Sequence, residues 1–241
     1  MTYSISEGIM LFLIPAVLMI VFCSLYARDM IRGPQLRTVY LKIATSACFV
    51  AAGMIAALSR AEADKFCLFL IAGAFCGLIG DLLLGMRYAD AARVKGYTNG
   101  GFVAFMFGHV CYMIYMLMRY HAAFSVEITL LVIVIAIVLG LIIGRTDRMM
   151  GMDYTGFRAM ITCYSIVILS STLLGICYAV ERALLSPAAD LFAIGAIFFL
   201  ISDLILSGTY FGEGKNRPVD IISNHVFYFG GQFLIALAIF F

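Results

Sequence analysis

The sequence predicts an all-α polytopic membrane protein of eight transmembrane helices, arranged as two parallel four-helix repeats in a single integral membrane domain over residues 1–241. Three observations predict it. Of the 241 residues 64% are hydrophobic and only 12% charged, with a mean hydropathy of +1.06. A soluble domain of this size has too little interior to hide that much apolar surface. Runs long enough to span a bilayer recur along the whole chain. A segment of the third run also reappears, 122 residues later, in the seventh.

The runs fall at about 8–27, 37–59, 66–86, 98–119, 124–144, 158–180, 187–208 and 218–240. The first is preceded by Glu7 and by no Lys or Arg, so it is expected to be a retained helix and not a cleaved leader. Ser186-Pro187 reads as an N-cap followed by proline in the first turn, and Pro218 starts the last run in the same way. Connections are short, and His121, in one of them, is given no role. There is no Trp, so Tyr and Phe supply any interfacial belt. All seven cysteines lie in apolar runs, where they serve as small packing residues, and no disulfide framework is expected.

Charge sets the orientation. Arg28, Arg32, Arg37, Lys42, Arg87, Arg93, Lys95, Arg145, Arg148, Arg158, Lys215 and Arg217 belong to the odd-numbered connections and adjoining helix ends. Only Arg60, Lys65, Arg119 and Arg182 lie on the other side. The positive-inside rule therefore places the odd connections in the cytoplasm and both termini outside. The compact chain, without added domains, reads as a bacterial inner-membrane protein. A net charge of +2 gives no basic field for nucleic acid, and no obligate protein partner is implied.

The repeat aligns Gly73–Leu84 (GAFCGLIGDLLL) with Gly195–Leu206 (GAIFFLISDLIL), Asp81 falling on Asp203. The same offset relates residues 1–122 to 123–241. Four helices per unit is an even number, so both halves insert the same way up, related by a pseudo-two-fold axis along the membrane normal. The two aspartates then lie at one depth and face each other across the centre. Gly73, Gly77 and Gly80 would let another helix approach the third closely, although Phe198 and Phe199 are bulky on the seventh.

A carboxylate in hydrocarbon is costly and usually marks function. Asp81 and Asp203 lie roughly 8–9 Å inside their helix ends at the helical rise per residue. Lys42, Tyr164, Ser202, Asn224, His225, Tyr228 and Gln232 gather in the same inner half, with His109 and Tyr112 one turn apart and deeper. The outer half carries almost nothing comparable, which describes a polar cavity open to the cytoplasm and closed by an apolar plug. Plainer readings stand beside this one. Asp81 and Asp203 could be carboxylates paired with Arg87, Lys42 or Arg217. His109 could be a core histidine bonded to a carbonyl; His225 and Asn224 could satisfy backbone; the tyrosines could simply pack; Lys42 could snorkel.

Gly80-Asp81-Leu82-Leu83-Leu84, Phe102-x-x-Phe105-x-x-Gly108-His109-x-x-Tyr112, Gly195-Ala196-x-Phe198-x-x-x-Ser202-Asp203, then Tyr228 and Gln232, together resemble the YhhN-type membrane family. Its characterised animal members are lysoplasmalogenases. One departure is visible: Lys42 is followed by Ile43, where the family often has Lys-Pro. The resemblance implies hydrolysis of the vinyl ether of a lysoplasmalogen to a fatty aldehyde and a glycerophospho-base, with Asp81 and Asp203 as the catalytic acids. Such a bond breaks by protonation of its β carbon and capture of the oxocarbenium ion by water, work suited to one protonated and one ionised carboxyl group. Which aspartate takes which role is open. His109, Tyr112, Asn224 and Gln232 are candidates to position water or the glycerol hydroxyl, and Lys42 with the basic loops to hold phosphate. No metal and no cofactor is implied; the partners are a lysophospholipid and membrane lipid. The alternative is a proton-coupled small-molecule or lipid transporter using the same aspartates. A zinc amidase is disfavoured, since only His109 and His225 lie in spans. An intramembrane aspartyl protease lacks its motif.

Overall fold

A computed structural model describes residues 5–60, 65–120, 125–182, 184–214 and 216–241; His121 and Lys215 lie outside the described residues. Eight helices are long and apolar enough to cross a membrane. They are α1 (Ile5–Arg32), α2 (Leu36–Leu58), α3 (Cys67–Met86), α4 (Val94–Arg119), α5 (Val126–Ile143), α6 (Arg158–Glu181), α7 (Pro187–Phe211) and α8 (Pro218–Ala238). No strand occurs among the described residues, apart from a single bridge between Met152 and Gly212.

Helix ends depart from hydropathy where local chemistry, not lipid, sets them. α1 continues to Arg32, past the expected end at 27, until Gly33 at φ +120° turns the chain. α4 starts at Val94 and not at 98, because Asp90 accepts from the Ala92 N–H at 3.1 Å and nucleates a short 3-10 turn ahead of it. α7 runs on to Phe211. Pro187 and Pro218 occupy first-turn positions as expected, but the Ser186 side chain makes no capping bond; Ser186 is the cap through its backbone carbonyl, which accepts from Asp190 at 2.9 Å.

Followed by contact, α2, α3, α4, α6, α7 and α8 close into a ring, with α1 outside it on α2 and α5 outside it on α6. Exchanging the first four helices with the last four reproduces these neighbours; the touches of α8 on α1 and α3 are the exceptions. α3 and α7 stand on opposite sides of the ring and do not pack together. The α3 glycines therefore receive α4 and α8, not the seventh helix. A side chain at Gly73 would strike the Tyr112 ring, one at Gly80 would meet Phe105 at 2.7 Å, and one at Gly77 would crowd Gln232 at 3.1 Å. α7 and α8 use the same device at Gly195 and Gly231, each without room for a side chain because the other's carbonyl oxygen lies under 3 Å away.

Two buried layers fill the bundle. One, toward the even-numbered connections, is apolar and aromatic, with Phe12, Leu70, Tyr115, Met116, Tyr178 and Phe192. The other, toward the basic side, contains Phe49, Phe102, Phe105, Tyr164, Phe199 and Tyr228. Tyr164 and Tyr228, which bond the aspartates, belong to this second layer, and Tyr112 to the first.

Candidate functional site

Asp81 is 1% exposed. Its Oδ2 accepts from Ser46 at 2.5 Å and from Tyr228 at 2.6 Å. Its Oδ1 has no hydrogen bond in line and meets the Lys42 ammonium at 3.0 Å. Lys42 and Ser46 are one turn apart on α2, so a single helix face supplies a cation and a hydroxyl. Lys42 thus pairs with Asp81, one of the three cations considered for that place. The other two are engaged elsewhere. Arg217 closes on Asp220 at 2.9 Å. The Arg87 guanidinium stacks on the Tyr210 ring at 3.6 Å, with one Nη1 buried and without a hydrogen-bond partner.

Asp203 is more open. Tyr164 donates to its Oδ2, and no protein group among the described residues bonds its Oδ1. It borders a cavity of about 80 Å³ shared with Phe102, Met152, Tyr154 and Ser207. The two carboxylates share no hydrogen bond. Between Tyr228 and Tyr164 lies a chain of rings: Tyr228 on Phe199 at 5.2 Å, Phe199 on His109 at 4.6 Å, His109 facing Tyr164 at 6.5 Å. Phe105 caps Phe199 and Tyr228, at 5.8 and 5.9 Å.

His109 belongs to this chain. Its Nδ1 lies 2.8 Å from the Ser171 hydroxyl, which also reaches the Ile168 carbonyl at 3.0 Å. Its Nε2 is buried with no hydrogen-bond partner. The remaining expected residues divide. Tyr112 donates to Gln232 Oε1 at 2.8 Å, bracing α4 to α8. Asn224 donates to the Ser202 carbonyl at 2.7 Å and lies 3.1 Å from its hydroxyl, bracing α8 to α7; neither bonds the aspartates. His225 bonds the Ile221 carbonyl at 2.6 Å and faces outward to Tyr26. Sequence reasoning missed Ser46, Ser171 and the Arg87–Tyr210 stack. Only Ser46 carried a usable signal, standing four residues beyond Lys42.

The connection 144–157 lies over the Asp203 side. Met150, Met152 and Tyr154 line the small cavity. The Asp153 N–H donates to the Phe211 carbonyl at 2.8 Å, and the Tyr154 hydroxyl lies 3.2 Å from Ser207. Arg158 holds the connection, donating to the Gly144 carbonyl at 2.7 Å and to Asp147 at 2.6 Å. Burial opposes charge on Asp147, but the Arg158 guanidinium and the Tyr154 and Arg148 N–H groups hold its carboxyl below the usual carboxylate range.

The model of one protein family, described as the YhhN family, matches residues 36–239. No curated protein and no solved structure matches the chain.

Proposed function

Since the chain belongs to the YhhN family, we propose that it is a membrane lipid hydrolase that cleaves the vinyl ether of lysoplasmalogens. The observation that carries the reading is the unequal dressing of two carboxyl groups in one layer, Asp81 buried and Asp203 partly open. Asp81 faces an ammonium and two hydroxyl donors, the setting of a carboxylate. Asp203 has one tyrosine, apolar neighbours and an unbonded Oδ1 beside a cavity, the setting of a proton donor.

Asp203 gives its proton to the β carbon of the vinyl ether, and the positive charge moves to the ether-bearing carbon. Asp81 stabilises that cation and takes a proton from the attacking water. The hemiacetal then collapses to a fatty aldehyde and a glycerophospho-base, and the proton returns to Asp203. Lys42 is occupied by Asp81. Arg87, whose buried Nη1 has no hydrogen-bond partner, is the cation we assign to the headgroup phosphate at the acids. The apolar layer around Leu70 and Phe192 closes the far side.

The test is aldehyde release by the purified protein from a panel of lysolipids. Lysoplasmalogen is expected to be cleaved, and the ester-linked lysolipid of equal length to survive. Equal hydrolysis of both, or of neither, overturns the reading.

A further inference from the structure

An apolar opening lies away from the aspartates, on the outside of the ring between α1 and α8. It measures about 580 Å³, within the usual range for small-ligand sites. Its walls are apolar, with Met19 and Cys23 from α1 and Phe229 from α8; Arg28 and Arg32 form one end, and His225 lies on the inner wall. It exists because α1 leans mainly on α2 and touches α8 over a shorter stretch.

Length and charge say what fits. Met19 to Arg32 covers roughly 20 Å along a helix, against about 15 Å for the hydrocarbon of one leaflet. An apolar slot of that length ending in cations matches a chain lying in one leaflet with an anionic group at its head. The cations are not neutralised. Arg28 lies 3.3 Å from Asp29, which Arg37 also contacts at 3.3 Å, while Arg32 has no partner among the described residues. Three arginines against one aspartate leave the mouth positive. On the inner wall His225 packs on Tyr26 at 4.5 Å, and beyond them Lys42 pairs with Asp81.

We propose that this groove docks a single-chain phospholipid from the basic-side leaflet, with its phosphate against Arg28 and Arg32. That the docked lipid then passes by His225 to the acids rests on the hydrolase reading; the docking itself does not. The guanidinium fork suits phosphate oxygens, and slot and cations together select a lipid over either a bare chain or a free anion.

The test is photolabelling of the purified full chain with an ester-linked lysophosphatidylcholine bearing a diazirine in its chain, a lipid without the scissile vinyl ether. Label is expected in residues 19–32 and 222–230. It should be displaced by unlabelled lysophosphatidylcholine, and weakly by the monoacylglycerol of the same chain or by inorganic phosphate. Arg28→Gln with Arg32→Gln should cut labelling about tenfold, as the loss of a charge-assisted bond does. The corresponding pair of lysine variants should restore most of it, which separates charge loss from misfolding. Even labelling of α5 and the other lipid-facing helices, or equal displacement by monoacylglycerol, overturns the proposal. Labelling needs no turnover, so its failure leaves the hydrolase reading standing, and an inactive protein that labels correctly leaves the groove standing. If both hold, the glutamine pair raises KM for lysoplasmalogen more than it lowers kcat; the reverse split removes the groove from the substrate's route.

Discussion

Asp81 and Asp203 occupy matching places on opposite sides of one ring, yet their surroundings differ in kind. Asp81 has a cation and two hydroxyls; Asp203 has one tyrosine, a cavity and a folded connection above it. Under the 122-residue offset Lys42 falls on Tyr164, Ser46 on Ile168 and Met106 on Tyr228. All three differences dress Asp81 more heavily than Asp203. A pair of acids needs this asymmetry to divide the work of donating and accepting a proton. The largest expected effect tests it. Asp203→Asn and Asp81→Asn should each lower aldehyde release by about a hundredfold or more, the scale of general acid–base catalysis. Only Asp81→Asn should also lower the melting temperature in detergent, because it strands Lys42. Equal melting of the two variants breaks the comparison.

Lys42→Met comes next. It leaves the Asp81 carboxylate buried opposite an alkyl chain, and breaking one side of a buried ion pair costs about 3 kcal/mol or more. The double variant Lys42→Met with Asp81→Asn should recover most of that loss without recovering activity. If the single variant is as stable as the parent, Lys42 is not the counter-ion that separates the two halves. A smaller effect is expected at the tyrosines. Tyr228→Phe removes one of three groups on Asp81 and should cost about 1–2 kcal/mol, typical of a bond to a charged group. Tyr164→Phe removes the one hydrogen bond that the Asp203 carboxyl receives among the described residues, so its effect should fall on kcat and on the pH profile more than on stability.

The fold was legible because the length of an apolar run is enough to specify a span, and all eight runs lie on eight helices. The boundaries that slipped, at Arg32 and Val94, are those where the helix leaves lipid and a glycine or an aspartate cap takes over. The site was legible as a depth: Lys42, Tyr164 and Tyr228 were expected near the acids and do bond them. What a depth cannot give is the partner. Ser202 and Asn224 share the layer of the aspartates but satisfy each other, and Tyr112 is taken by Gln232. Those pairings depend on the order of helices around the ring, and short sequence motifs carry no trace of it. The groove between α1 and α8 was hidden for the same reason, since Arg28 and Arg32 look like ordinary basic-side residues until α8 is placed beside them.

The gentlest test concerns the covers. The α1–α2 connection is short, Gly33–Gln35, whereas 144–157 folds back over the Asp203 cavity and is latched by Asp147 on Arg158. The Asp147 carboxyl is depressed in the folded protein. Its stabilisation is therefore complete above the ordinary carboxylate range and is lost as pH falls through the lower folded value. Amide exchange in 144–157 should stay slow at neutral pH and quicken only in acid, with the α1–α2 connection unchanged; Asp147→Asn should quicken it at every pH. Reagents that react with Asp203 should gain speed in step with that opening. If the connection opens and Asp203 becomes no more reactive, the loop is not its cover, and the difference between the two acids reduces to the groups that bond them.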